Sequence, residues 1–132
     1  MLLTEEIQLA RNVWGKAQIL EASASWGGYP EEAAWVDRFV ANDDPKMDWH
    51  LWHMASNDQN IVSAYAIQTL FRRRSPLLLE LPDELDARSG HVTIQRGSFR
   101  QKLLYRDFIR SVTRQLKEEI QKHDGEIAGE MQ

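Results

Sequence analysis

The sequence predicts a mostly α-helical fold, a single compact domain of about five helices, and three observations support this class. Apolar residues recur at spacings of three and four over most of the chain, as on the buried face of a helix. Proline and glycine concentrate between these periodic segments. The chain of 132 residues, 42% of them hydrophobic, is long enough for one core and too short for two. We therefore expect one domain over residues 1–122, followed by a frayed tail over residues 123–132.

The first two helices have clear start signals. Thr4 can cap a first helix whose acidic first turn complements the helix dipole, and we expect this helix to end near Ala22. The cluster Trp-Gly-Gly-Tyr-Pro at 26–30 predicts a turn, and its proline suits the first turn of a second helix. The sequence Asn-Asp-Asp-Pro at 42–45 should end that second helix.

A short third helix is predicted from Trp49 to Ala55, and Asn57 or Asp58 can cap a fourth that closes before Pro76.

The fourth helix resembles part of a known repeat. Asp58 is followed by Val62, Ala66 and Leu70 at four-residue steps, and an aromatic helix precedes it across a Ser-Asn-Asp turn. Over about 25 residues this pattern is similar to the second helix of a HEAT-type hairpin. The resemblance implies a HEAT-like arrangement of these two helices.

The segment from residue 76 to residue 97 is the least regular, and two interpretations remain open. Val92 and Ile94 alternate with polar residues between two glycines, as in a short strand, which could form a short β-hairpin with the leucine-rich run at 77–81. Alternatively, residues 82–87 form a helical turn and the rest is packed loop.

The last helix is predicted to begin at Ser98, to continue to Ile120 and to carry a basic face. Between residues 96 and 117, seven residues are basic and one is acidic, in a protein whose net charge is −4. At about 100° per residue, most of these cations lie opposite the apolar residues. The predicted partner-binding face comprises Arg96, Arg100, Arg106, Arg110, Arg114 and Lys117, extended by a second cluster of Arg72, Arg73 and Arg74 at the end of the fourth helix.

This concentration of positive charge has three explanations. The protein's own acids can neutralise it, because residues 1–66 hold ten acids against four bases. It can bind an acidic surface of a partner protein, where arginine forks match carboxylates. It can instead bind phosphates or nucleic acid at the start of the last helix, around Arg96, Gly97, Ser98 and Arg100, although a pI of about 5.5 is low for a nucleic-acid-binding domain.

A metal-dependent enzyme is a further alternative. His50 and His53 are three residues apart, so a helix would place both rings on one face, with Asp48 just upstream. The pattern lacks the glutamate of His-Glu-x-x-His. The interleaved Trp49 and Trp52 favour instead a helix whose tryptophans pack inward while its histidines face outward.

Several functional classes lack their sequence signatures. The chain has no cysteine, which excludes disulfides and thiolate metal sites and fits a reducing cytoplasm. It has no apolar run near the roughly 20 residues that span a bilayer, and no secretory signal. Phosphate-binding loops and nucleophile elbows are also absent. We therefore expect a cytoplasmic, non-catalytic protein-binding module without a cofactor or a membrane contact, an adaptor, inhibitor or assembly subunit that can also form homo-oligomers.

Overall fold

The computed structural model describes residues 2–21 and 30–130, with side chains described through residue 123. The α-helices in these ranges are α1 (Leu3–Gly15), α2 (Glu31–Val40), α3 (Pro45–Asn57), α4 (Asn60–Arg72) and α5 (Tyr105–Glu130). The strands are β1 (Leu20–Glu21), β2 (His91–Arg96) and β3 (Phe99–Leu104), and two 3₁₀ helices span Pro76–Glu80 and Asp83–Ala87. The predicted mostly α-helical fold of about five helices is confirmed.

Helix α4 forms the centre of the core because it is buried on most of its circumference. Eight of its thirteen residues are buried, and small side chains among them let the neighbouring helices approach closely. The Trp14 ring stacks on Tyr65 at 5.4 Å and meets Phe39 edge-on at 5.8 Å. The polar ends of the two largest rings are satisfied, since Trp14 Nε1 donates to the carbonyl of Glu32 and the Tyr65 hydroxyl donates to that of Ile19.

Helices α3 and α4 pack against each other as a helical hairpin, as the HEAT resemblance implies for this pair. The chain then continues into the two 3₁₀ helices and the sheet rather than into another helical hairpin. Within the described residues, the two helices therefore form a single hairpin and no stack of repeats.

Helices α1 and α3 each have a boundary that differs from the prediction. Helix α1 ends at Gly15 rather than near Ala22, because Leu20 and Glu21 form β1, which pairs with β2. Helix α3 begins at Pro45 rather than at Trp49, because the Asp44 carboxylate accepts a hydrogen bond from the Lys46 amide at 3.0 Å and caps the helix. The turn predicted at 26–30 lies outside the described residues, apart from Pro30.

The three-stranded sheet is the largest departure from the sequence analysis. Strand β2 lies in the middle, parallel to β1 and antiparallel to β3, with Val92 opposite Leu103 and Ile94 opposite Gln101. The strand predicted at Val92 and Ile94 is thus confirmed, but its hairpin partner is residues 99–104. Residues 76–80 and 83–87 form the two 3₁₀ helices, so the helical turn predicted at 82–87 is confirmed. The packed loop that this alternative gave for the rest is wrong for residues 91–96, which form β2.

Helix α5 begins at Tyr105, so the predicted start at Ser98 is wrong. Gly97 and Ser98 form the two-residue turn between β2 and β3, and Gly97 has a φ of +60°, which glycine adopts without strain. The helix continues to Glu130, where a frayed tail from residue 123 was predicted, and 26 residues correspond to about 39 Å. Leu116 is its last buried residue among the described side chains, so the later part of α5 extends beyond the core.

Candidate partner-binding surfaces

The predicted basic face is divided between two structural elements. Arg96 and Arg100 belong to the β2–β3 hairpin, because residues 99–104 are a strand and not a helix. Only the remaining four cations lie on α5, and the prediction of one continuous helical stripe is therefore wrong. We call these four the helix group: Arg106, Arg110, Arg114 and Lys117.

The helix group occupies one side of α5. Its four side chains are exposed and fall within an arc of about 80° at 100° per residue. Tyr105, Phe108 and Leu116 are buried on the side of the helix that faces the core. The nearest acids of α5, Asp107 and Glu118, lie just outside the arc. Between residues 106 and 117, the charged residues of α5 that lie within the arc are therefore all positive.

Intramolecular neutralisation reaches this surface at Arg110. Arg110 Nε lies 3.7 Å from the Asp86 carboxylate of the second 3₁₀ helix, and both side chains are about half exposed. Among the described residues, the other three members of the helix group have no ion pair within 4.0 Å. A cavity of about 230 Å³ is lined by Asp83 and Asp86 on one side and by Arg110 and Lys117 on the other. Exposed contacts of this kind contribute at most about 1 kcal/mol, so the helix group remains largely available.

Arg73, predicted as part of a second partner-binding cluster, is instead buried inside the molecule. Its side chain is only 8% exposed, and its Nε donates to the Asp48 carboxylate at 2.5 Å. Its guanidinium also donates to the carbonyl oxygens of Phe39 and Asn42. This one side chain therefore joins the end of α4 to the end of α2, to the loop between α2 and α3 and to the first turn of α3, and it cannot reach a partner.

The two arginines beside it are also engaged within the protein. Arg72 pairs with Asp37 of α2 at 2.7 Å. Arg74 pairs with Glu119 of α5 at 2.9 Å, and its guanidinium lies 4.8 Å from the centre of the Phe71 ring. The cluster of three adjacent arginines therefore joins four elements of the fold, which explains its charge without a partner.

The predicted phosphate site at Arg96, Gly97, Ser98 and Arg100 loses its structural basis. No helix begins at Ser98 in the described structure, so the backbone N–H groups of a helix N-terminus are not present there. The β2–β3 register also places Arg96 and Arg100 on opposite faces of the sheet, because Arg96 pairs with Phe99 and Arg100 with Gln95. The two guanidinium groups do not converge on one ligand.

The predicted metal site is not assembled either. Asp48 accepts from Arg73, whereas the rings of His50 and His53 lie 5.1 and 4.1 Å from the Trp49 ring. Burial, followed by the nearby His53, lowers the pKa of His50. Within the described residues, no group of three or more His, Asp or Glu side chains is arranged to hold a metal ion. The expected inward packing of the tryptophans is also wrong for Trp49, which is 55% exposed.

One cleft was missed by the sequence analysis. A cavity of about 290 Å³ opens between α4, the end of the hairpin and α5. Its wall is mainly apolar, and Arg96 and Gln68 lie at its polar part. No sequence signal could have located it, because its residues come from α4, β2, β3 and α5 and follow no spacing rule. Its lining residues are Gln68, Phe71, Arg72, Ile94, Arg96, Leu103, Phe108, Ser111, Val112 and Gln115.

Comparison with known proteins assigns no function to these surfaces. The chain matches no known protein family, no curated protein and no solved structure. None of the helices in residues 2–21 and 30–130 combines the length and the apolar composition that crossing a membrane requires.

Proposed function

We propose that this chain is a cytoplasmic, non-catalytic binding module, an adaptor, inhibitor or assembly subunit, that docks an acidic surface of a partner protein through the helix group. One observation carries the proposal: four exposed cations share one arc of α5, and three of them have no acidic partner among the described residues. The absence of cysteine supports a reducing compartment.

The spacing within the helix group supports a role in binding. Arg106, Arg110 and Arg114 follow one another at four-residue intervals, where like charges destabilise a helix by about 0.2–0.5 kcal/mol per pair. A solvent-exposed helix ordinarily alternates acids and bases at this spacing. Binding of carboxylates would relieve the repulsion, and arginine is well suited to it because its planar fork can bind both oxygens at once.

The alternative ligand for the same four cations is the phosphate backbone of a nucleic acid. The overall charge of −4 opposes long-range attraction to a polyanion, and no nucleic-acid-reading motif is present in the sequence. An acidic protein surface has a lower charge density and suits a localised cluster of four cations. These considerations favour a protein partner.

A charge-reversal experiment with a matched control tests the proposal. The test variant carries Arg106→Glu, Arg110→Glu and Arg114→Glu, and the control carries Lys16→Glu, Lys46→Glu and Lys122→Glu, which are exposed elsewhere and change the net charge equally. Binding of a fluorescent glutamate-rich peptide and of a fluorescent DNA duplex is measured by anisotropy over a salt series. We expect the test variant to lose peptide binding, and the control variant to keep it.

Three outcomes would contradict the proposal. Equal loss of binding in both variants would mean that only net charge matters. Tighter binding of DNA than of the peptide, with a steep salt dependence, would favour the nucleic-acid alternative. A large fall in the melting temperature of the test variant alone would show that the helix group is neutralised within the molecule.

A further inference from the structure

Strand β3 has an unpaired edge. In the order β1-β2-β3, the described part of the sheet ends at β3, whose outer side bonds to no other strand. Five of its six residues are exposed, and Leu103 is half-buried. An exposed edge strand is a template on which another extended segment can add by main-chain hydrogen bonds. We call this side of β3 the open edge.

The hairpin register identifies the backbone groups that face the open edge. The Tyr105 amide donates to the carbonyl of Gly90 at 3.0 Å, which makes this a hydrogen-bonded pair of the antiparallel ladder. Because hydrogen-bonded and non-hydrogen-bonded pairs alternate, Leu103 and Gln101 bond to β2. Arg100 and Lys102 therefore direct their N–H and C=O groups toward the open edge.

The same two residues carry positive side chains on one face of the sheet. Lys102 pairs with Thr93 and Arg100 with Gln95, on the face opposite the buried Val92. Arg100 Nε donates to the Gln95 side chain at 2.5 Å, and Lys102 has no ion pair within the described part of the chain. A strand added at the open edge would place every second side chain beside these cations.

The positive charges of Arg100 and Lys102 determine which kind of strand can add at the open edge. A second copy of the chain, added antiparallel, would set Arg100 opposite Lys102 or one of these two cations opposite itself, and like charges directly opposite are destabilising. Acidic side chains at these positions would instead form cross-strand pairs. On the other face, the intervening side chain would lie beside Gln101, close to Phe99, which is 63% exposed and can cover an apolar group.

We propose that the open edge of β3 binds an extended segment of a partner protein by strand addition, with acidic residues at alternate positions and an apolar residue between them. This inference goes beyond the proposed function, because the open edge shares no residue with the helix group. The bound segment would receive main-chain hydrogen bonds at Arg100 and Lys102 and charge complementarity from the same two residues.

Amide hydrogen exchange of the full-length ¹⁵N-labelled protein tests the geometry first. Without peptide, the Arg100 and Lys102 amides should exchange rapidly, and those of Gln101 and Leu103 should be protected. Addition of a synthetic peptide with a Glu-Val-Glu centre should protect Arg100 and Lys102. The same peptide with both glutamate amides N-methylated should not, because in an antiparallel ladder those are the N–H groups that face β3. Protection of these two amides in the free protein, or no change with the Glu-Val-Glu peptide, would overturn the proposal.

Two variants separate the backbone contribution from the charge contribution. Lys102→Pro removes an N–H that makes no bond to β2, so the sheet should persist and peptide binding should be lost. Arg100→Gln with Lys102→Gln keeps the backbone and should weaken binding roughly three- to tenfold, the change expected from two cross-strand ion pairs. If Lys102→Pro proves unfolded, undiminished binding by the double glutamine variant would still refute the role of charge.

The helix-group reversal described above distinguishes this proposal from the proposed function. That variant should bind the Glu-Val-Glu peptide with at least half the wild-type affinity, because its substitutions lie on α5. If this variant no longer binds the peptide, and if the peptide changes chemical shifts only in α5 of the wild-type protein, the peptide binds the helix group and strand addition is refuted. Protection of Arg100 and Lys102 that increases with protein concentration, without peptide, would show pairing between copies and also overturn the proposal.

Discussion

Replacement of Arg73 by alanine should destabilise the fold far more than the same change at Arg72, one residue earlier. The Arg73 side chain is 8% exposed, and its removal takes a donor from the Asp48 carboxylate and from the main-chain carbonyls of Phe39 and Asn42, of which Phe39 keeps the Asn42 amide as a donor. Breaking a buried ion pair on one side costs about 3–5 kcal/mol. The Arg72–Asp37 pair is 43% and 42% exposed, so its loss should cost at most about 1 kcal/mol.

The two variants are compared by urea denaturation and by thermal unfolding, both followed by circular dichroism. For a domain of this size, each kcal/mol lowers the melting temperature by roughly 3–5 °C, so Arg73→Ala should lower it by roughly 10–20 °C. Arg73→Lys should recover only part of this loss, because an ammonium group cannot donate to the carboxylate and carbonyls with the geometry of the fork. A cost below about 1.5 kcal/mol for Arg73→Ala, or equal costs for Arg72→Ala and Arg73→Ala, would refute the buried role.

Three further predictions concern the core and the hairpin. Burial raises the pKa of both Tyr65 and Tyr105, so the unfolded chain releases their protons first and the free energy of unfolding should fall above about pH 10. Ultraviolet titration should show these two tyrosines ionising only as the helical signal disappears, and earlier ionisation would contradict this. Tyr105→Phe removes a hydrogen bond to the buried Ser63 hydroxyl and should cost about 1–2 kcal/mol in urea, whereas an unchanged midpoint would argue against that bond. Gly90→Ala should destabilise by about 1–3 kcal/mol, since φ is +105° and the new Cβ would lie 2.7 Å from the side-chain amide nitrogen of Asn60. Gly97→Ala meets no atom within 4 Å and should cost about 1 kcal/mol. Equal unfolding free energies for the two variants would contradict this difference.

Apolar periodicity was sufficient to locate the helices that line the core, because each buries one defined face. It failed for β3, whose sequence Phe-Arg-Gln-Lys-Leu-Leu shows no apolar alternation. An edge strand with most residues exposed has no buried face to impose a period of two. Gly97 and Ser98 fit both a helix start and a two-residue hairpin turn, and only the pairing of β2 with β3 distinguishes them.

The candidate surfaces show the same dependence on tertiary context. Arg72, Arg73 and Arg74 are three consecutive arginines, yet the Arg73 side chain is buried and the other two are exposed. The difference arises because α4 ends at Arg72 and the backbone of Arg74 takes a φ of +56°, which sends the three side chains in different directions. The four cations on α5 could be grouped from spacing alone, because they lie within one uninterrupted helix. Those on the hairpin could not.

The pairing of β1 with β2 also has a consequence for the order of folding. Leu20 and Ile94 are 74 residues apart in sequence (94 − 20 = 74), whereas β2 and β3 are joined by a turn of two residues. The hairpin can form within microseconds on its own, whereas β1 can pair with β2 only after the intervening helices have brought these two segments together. We therefore expect β1 to join the sheet last during folding and to leave it first when the protein begins to unfold.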